Sequence, residues 1–221
     1  MIRKTVNLLK KDIMFIGNYS ILAVLILLVF PIFLNYSIGG IMEPSYFLFL
    51  SVDFCAFVVF GQIYLMESKY KGMTYLMACP FKRVHMIIAR YLLLLLICGL
   101  GILFYKAVEW MNPGNLFPVN SKINVPQIVL AVSIVVIAYN VLLPILNNFV
   151  YEKVRILHEA LTIIVPIWGV LLVKYLLQYF QVSLQMHEMS HNGAVILVIC
   201  DIILTVISVM INIKLWEKKE F

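Results

Sequence analysis

Charged side chains are scarce: Asp, Glu, Lys and Arg make up 13% of the 221 residues, against about 25% in soluble domains. Together with 63% hydrophobic residues and a mean hydropathy of +1.00, that shortage excludes one compact soluble domain. Nucleotide signatures are lacking too. No Walker phosphate loop, dinucleotide glycine motif or Ser/His/Asp constellation stands out, so any ATP-driven work requires a nucleotide site on another chain. Acids are few, 11 against 17 bases, for a net charge of +6. In a soluble chain such a balance would suggest nucleic acid. Here the bases flank apolar runs, so membrane orientation accounts for them and no nucleic-acid partner is expected. Of the four cysteines, Cys55, Cys98 and Cys200 sit in apolar runs and Cys79 in a basic stretch. None falls in an expected outer loop, which argues against a disulfide framework. The length suits a single polytopic domain, residues 1–221, with no room for a soluble catalytic domain.

What is present is hydrocarbon in membrane-length runs. An apolar stretch of about 20 residues crosses a bilayer, and six candidates occur: Tyr19–Ile38, Tyr46–Leu65, Met86–Tyr105, Val125–Leu146, Leu161–Tyr179 and Ala194–Leu215. The expected fold is therefore an all-α membrane protein with six transmembrane helices. The first apolar run, Ile13 to Leu34, is too long for a signal-peptide core, so cleavage is not expected. Ahead of it, Ile2, Val6, Leu9, Ile13 and Ile16 recur at helical spacing, with Arg3, Lys4, Lys10 and Lys11 elsewhere on the wheel. That pattern predicts an N-terminal interfacial amphipathic helix resting on membrane lipid.

Orientation follows from the bases. The N-tail carries four, the second connection five, the fourth two and the C-terminal end three, whereas the opposite side has only Lys106 and Lys122. The bias predicts both termini in the cytoplasm. Pro31, Pro144 and Pro166 fall within spans, where a helix can bend if the freed carbonyls find other partners.

The longest charged interruption lies between the second and third spans, from Tyr64 to Tyr91, with Lys69, Lys71, Lys82, Arg83 and Arg90 against the single acid Glu67. A short helix along the membrane face is expected over Lys71 to Ala78. Pro80 then suits the first turn of a new helix. Tyr75, Leu76 and Met77 offer apolar contact, and Lys71, Lys82 and Arg83 can address acids on a partner.

Three ionisable residues fall inside spans: Asp53, Lys174 and Asp201. Such residues face a partner or a wet cavity. All three lie roughly 8–11 Å below the outer boundary at 1.5 Å per residue. Lys174 and Asp201 belong to consecutive antiparallel spans, which leaves two readings open: an ion pair stapling them, or a polar lining for an outward-opening cavity. A second motif, His187-Glu188-Met189-Ser190-His191, matches H-E-x-x-H. That pattern binds zinc through two histidines and uses the glutamate as a base. It sits in a short outer connection, lacks a third ligand, and has Ala194 and Leu197 where the extended motif needs glycine and histidine. No metal is assigned there; His187 and His191 are the only candidates.

The chain resembles the permease subunits of ABC-2 type transporters, and among them the small six-span bacterial permeases such as those of the phenol-soluble modulin exporter. The likeness rests on the basic N-terminal helix, the six spans, and Glu67, Lys71-Gly72, Leu76, Pro80, Arg83 and Arg90-Tyr91 in the loop. Arg90 stands where the family pattern has lysine. The resemblance implies a subunit without enzymatic activity in a bacterial plasma membrane, pairing with a second permease, identical or homologous. It implies cytosolic ATPase subunits that bind ATP and Mg, this chain holding no cofactor. The loop would be a cytoplasmic coupling helix, with Glu67, Lys71, Gly72, Tyr75, Leu76, Met77, Pro80, Lys82 and Arg83 serving ATPase coupling. The implied activity is export of amphipathic peptides, toxins, antibiotics or lipids, through shallow cavities open toward the membrane. Two alternatives differ in class. An ion-coupled secondary transporter would use Asp53, Lys174 and Asp201. A membrane zinc metalloprotease would use His187, Glu188 and His191.

Overall fold

The computed structural model describes residues 2–17, 19–38, 44–70, 83–111, 123–149, 151–164 and 191–217. Helix α1 is Ile2–Ile16 and α2 is Tyr19–Ile38. Helix α3 is Pro44–Lys69, α4 Arg83–Met111 and α5 Val125–Asn148. Helix α6, Tyr151–Glu159, runs into a π-helical turn, Ala160–Ile164, and α7 is His191–Glu217. Among the described residues there is no strand.

Among the described residues, four helices are long and apolar enough to cross a membrane: Ser45–Lys69, Val84–Trp110, Val125–Asn148 and Asn192–Trp216. A fifth is reached if α1 and α2, bent by 86°, count as one broken span. The protein is thus a multi-pass membrane protein. Most of the expected fifth span, Leu161–Tyr179, lies outside the described residues, as does the expected short helix at 71–78.

The bend between α1 and α2 has a local cause. Gly17 adopts a φ of 51°, the left-handed conformation that ends helices and suits glycine. Ser20 N–H then donates to the Gly17 carbonyl at 3.1 Å as α2 starts. Helix α1 also corrects its expected orientation. Thr5, Leu8, Asp12 and Ile16 face the bundle, while Val6 and Ile13 of the expected apolar face are exposed. The helix has two apolar arcs, one packed on α4 and α3, the other left for lipid.

Helix α3 is the central element. Of its membrane window 72% is buried, against 11% for α7. Val52, Ala56, Phe60 and Ile63 are fully enclosed on it, and Tyr139 and Leu143 of α5 meet them. Lipid tails are as apolar as leucine, so close packing of small residues rather than water exclusion brings such helices together. Ala56, Ala89 and Ala131 lie in the core. At Gly101 on α4, a Cβ would collide with the Val52 side chain of α3. Large outward residues such as Leu103, Val141 and Ile202 are left for the bilayer.

Pro144 sits inside a spanning helix, close to its C-terminal end, without harm, and the reason is visible. It has no N–H, so the carbonyl of Asn140, one turn earlier, loses its helical donor. The Ser208 hydroxyl of α7 donates to that carbonyl instead, and the Tyr91 hydroxyl of α4 lies 2.6 Å from the same Ser208 oxygen. Asn140 Nδ2 donates to Thr205 Oγ1 at 3.0 Å, and Asn148 Nδ2 to Asn212 Oδ1 at 3.3 Å. A polar ladder therefore ties α5 to α7, the most extensive helix pair in the bundle.

Candidate functional site

Residues 71–82 connect the end of α3 to the start of α4, whose described residues form the root of that loop. The described residues at that root form a buried ionic clasp. Glu67 lies two residues from the end of α3, and both of its carboxylate oxygens are engaged. Oε1 accepts from Lys11 Nζ at 3.0 Å, and Oε2 from the Arg90 guanidinium. Arg90, two turns into α4, also donates to Asn147 Oδ1 of α5 and lies 4.3 Å from the centre of the Tyr64 ring. The Tyr64 hydroxyl donates to the same Asn147 oxygen at 2.6 Å. Lys11 reaches Asp12 Oδ1 at 2.9 Å. Ser68 Oγ adds a contact to Glu152 Oε1 of α6 at 3.2 Å.

Two cations and two acids thus meet with no net charge, drawn from α1, α3 and α4 and bonded to α5. Glu67 and Arg90 are 4% and 2% exposed. A guanidinium cannot neutralise itself by losing a proton. In this enclosure Arg90 is held by charge-assisted bonds and by the face of an aromatic ring. On α1, burial pushes the Asp12 carboxyl up, outweighing the opposite pull of Arg90 and Lys11. The clasp joins α1, α3, α4 and α5 at the place where the loop is attached.

Of the residues expected to serve coupling, Glu67 is not presented outward; its carboxylate faces into the bundle. Arg83 opens α4. Lys71, Gly72, Tyr75, Leu76, Met77, Pro80 and Lys82 lie outside the described residues. Of the three expected intramembrane charges, Asp53 and Asp201 lie among the described residues. Asp53 is 1% exposed within α3, its Oδ2 without a hydrogen-bond partner among the described residues. Asp201 lines a groove bounded by α4, α5 and α7, and Lys174 lies outside the described residues. His187 does too, while His191 begins α7. No group of three or more His, Cys, Asp or Glu side chains is placed to hold a metal ion among the described residues.

Residues 7–217 match the family model described as ABC-2 family transporter protein. The chain belongs to the ABC-2 transporter family. No curated protein and no solved structure matched it. It is therefore an ABC-2 type permease, a membrane subunit of a transporter.

Sequence reasoning missed three members of the clasp in this permease. Asp12 was hidden in a basic tail, where a lone acid has no obvious partner. Asn147 sat at the end of a span, where an amide is unremarkable. Tyr64 carried the signal of an interfacial aromatic, although its ring and hydroxyl are both used internally. Arg90 was counted with the loop's bases, yet its depth in α4 allows only internal partners.

Beside the clasp, the permease buries a histidine. His158 of α6 packs on Phe57 of α3 at 4.9 Å between ring centres and on Tyr151 at 6.1 Å. Neither ring nitrogen has a hydrogen-bond partner among the described residues. Burial pushes its pKa down to about 4, with Glu159 pulling weakly the other way. The folded value lies below the unfolded one of about 6.5. Its neutral form is therefore fully accommodated above pH ~6.5, and stability is lost as pH falls toward 4. Acidification across that window is expected to weaken the α6–α3 contact by about 3 kcal/mol. Hydrogen exchange over residues 151–159 checks this: opening should increase with acid in the native protein and become flat in His158→Leu. A wild-type profile already flat would contradict the account.

Proposed function

We propose that this permease is the membrane-spanning subunit of an ATP-driven exporter in a bacterial plasma membrane. The whole chain acts as one transmembrane domain of six spans, with both termini in the cytoplasm. The bias of bases toward one side supports that orientation. The 71–82 segment serves as a coupling helix for separate cytosolic ATPase subunits, which bind the ATP and Mg. A second permease, identical or homologous, completes the complex.

The observation that carries this reading is the clasp at the root of the loop. A loop that transmits force must be held firmly where it joins the bundle. Here Glu67 on the entering helix and Arg90 on the departing one are paired directly. Displacement of the loop would reach α1, α3, α4 and α5 together rather than being absorbed by one helix end. The cargo class is amphipathic: peptides, toxins, antibiotics or lipids. The exposed apolar flanks of the bundle and its apolar-walled groove suit molecules that partition into lipid before export.

Gentle solubilisation of the native membrane with a tagged permease is the direct test. Co-purification of an ATPase chain whose hydrolysis rises with the permease present is the expected result. Recovery of the permease without any ATPase, together with transport driven by an ion gradient alone, would overturn it in favour of an ion-coupled carrier.

A further inference from the structure

The groove between α4, α5 and α7 stands apart from the clasp and lies wholly within one chain. It encloses roughly 410 Å³, in the range of about 300–1,000 Å³ typical of small-molecule sites. Leu95 and Ile102 of α4, Ile128 and Val132 of α5, and Asp201 and Thr205 of α7 define it. Its walls are almost entirely hydrocarbon, and among the described residues Asp201 is the sole charged one lining it.

The polar groups around the groove are unequally used. Thr205 Oγ1 donates to the Asp201 carbonyl at 2.7 Å and accepts from Asn140 Nδ2 at 3.0 Å. That hydroxyl is committed to holding α7 against α5. The Asp201 side chain takes no part in the ladder, and its buried Oδ1 has no hydrogen-bond partner among the described residues. A carboxylate facing hydrocarbon without a partner is costly. A neutral chain would leave that cost in place, and an anionic one would raise it. A cation on an apolar body satisfies both the walls and the acid.

We propose that this groove binds a cationic amphiphile, its ammonium or guanidinium against Asp201 and its hydrocarbon along α4 and α5. The proposal rests on the permease reading and gives its cargo a charge sign and a point of reception.

The full-length protein in phosphatidylcholine nanodiscs is titrated with radiolabelled dodecyltrimethylammonium, with empty discs as background. Saturable binding is expected, weakened at least tenfold in Asp201→Asn and retained in Asp201→Glu. Val132→Trp, which fills the groove and leaves the carboxylate intact, should also weaken it. Dodecyl sulfate, with the same chain length, should not compete. Unchanged binding in Asp201→Asn would overturn the proposal, as would equal competition by dodecyl sulfate, which would mark a plain hydrocarbon groove. Binding seen only after Lys174→Met, or in no variant, would also overturn it, the former by assigning Asp201 to a residue of its own chain. The assay needs no ATPase, so its failure leaves the permease reading standing, and failed ATPase co-purification leaves the binding result intact.

Discussion

Glu67→Leu is expected to destabilise the permease by about 3–5 kcal/mol, the usual loss when one member of a buried ion pair is removed. The reason lies in what remains. Arg90 is left 2% exposed with Asn147 and the Tyr64 ring as its direct neighbours, and it cannot shed its proton. Lys11 loses its bond across to α3 at the same time. Equilibrium unfolding in mixed micelles, followed by tryptophan fluorescence, reads the effect. Glu67→Leu combined with Arg90→Met should recover most of the lost stability, since replacing both partners with apolar groups is often neutral. If the clasp carries force, the double variant will retain its ATPase but stimulate it poorly. A single Glu67→Leu variant as stable as the wild type would show that Arg90 does not depend on this pair.

Leu76→Asp should separate the permease from its ATPase. The substitution leaves every basic residue in place, so insertion should be unchanged. External labelling should still reach cysteine probes at Asn115 and Gly193 and not one at Lys71. A carboxylate would nonetheless enter an apolar contact proposed for Tyr75, Leu76 and Met77. Loss at a contact hot spot commonly costs at least ~2 kcal/mol, more than about tenfold in affinity. The expected outcome is a correctly inserted permease that neither retains nor stimulates its ATPase in a pull-down and hydrolysis assay. Normal association and export in Leu76→Asp would remove the coupling role from this position.

The helical frame was legible in the sequence to a useful degree. The run predicted at Tyr19–Ile38 is α2 without change, and Val125–Leu146 falls two residues short of α5. A helix over residues 2–16 forms as expected and turns sharply at Gly17. Its face was misjudged because apolarity alone cannot separate a lipid-facing arc from a protein-facing one. Val6 and Ile13 satisfy the same pattern as Leu8 and Ile16, and only the position of α4 and α3 distinguishes them. Pro144 was legible as a broken hydrogen bond; the rescuing hydroxyl, Ser208, stands 64 positions later and has no local sign.

The sequence by itself determined that this protein is helical, apolar and multi-pass, with bases in excess of acids. Those properties follow from how each residue exchanges with lipid or water, which hydrophobicity and charge report one residue at a time. The clasp and the groove were decided only by tertiary structure. Lys11 meets Glu67 across 56 positions and Tyr64 meets Asn147 across 83. Arg90 reads as a surface base until α3 and α5 close around it. A pairwise contact depends on the distance between two helices, and neither partner's own chemistry specifies that distance.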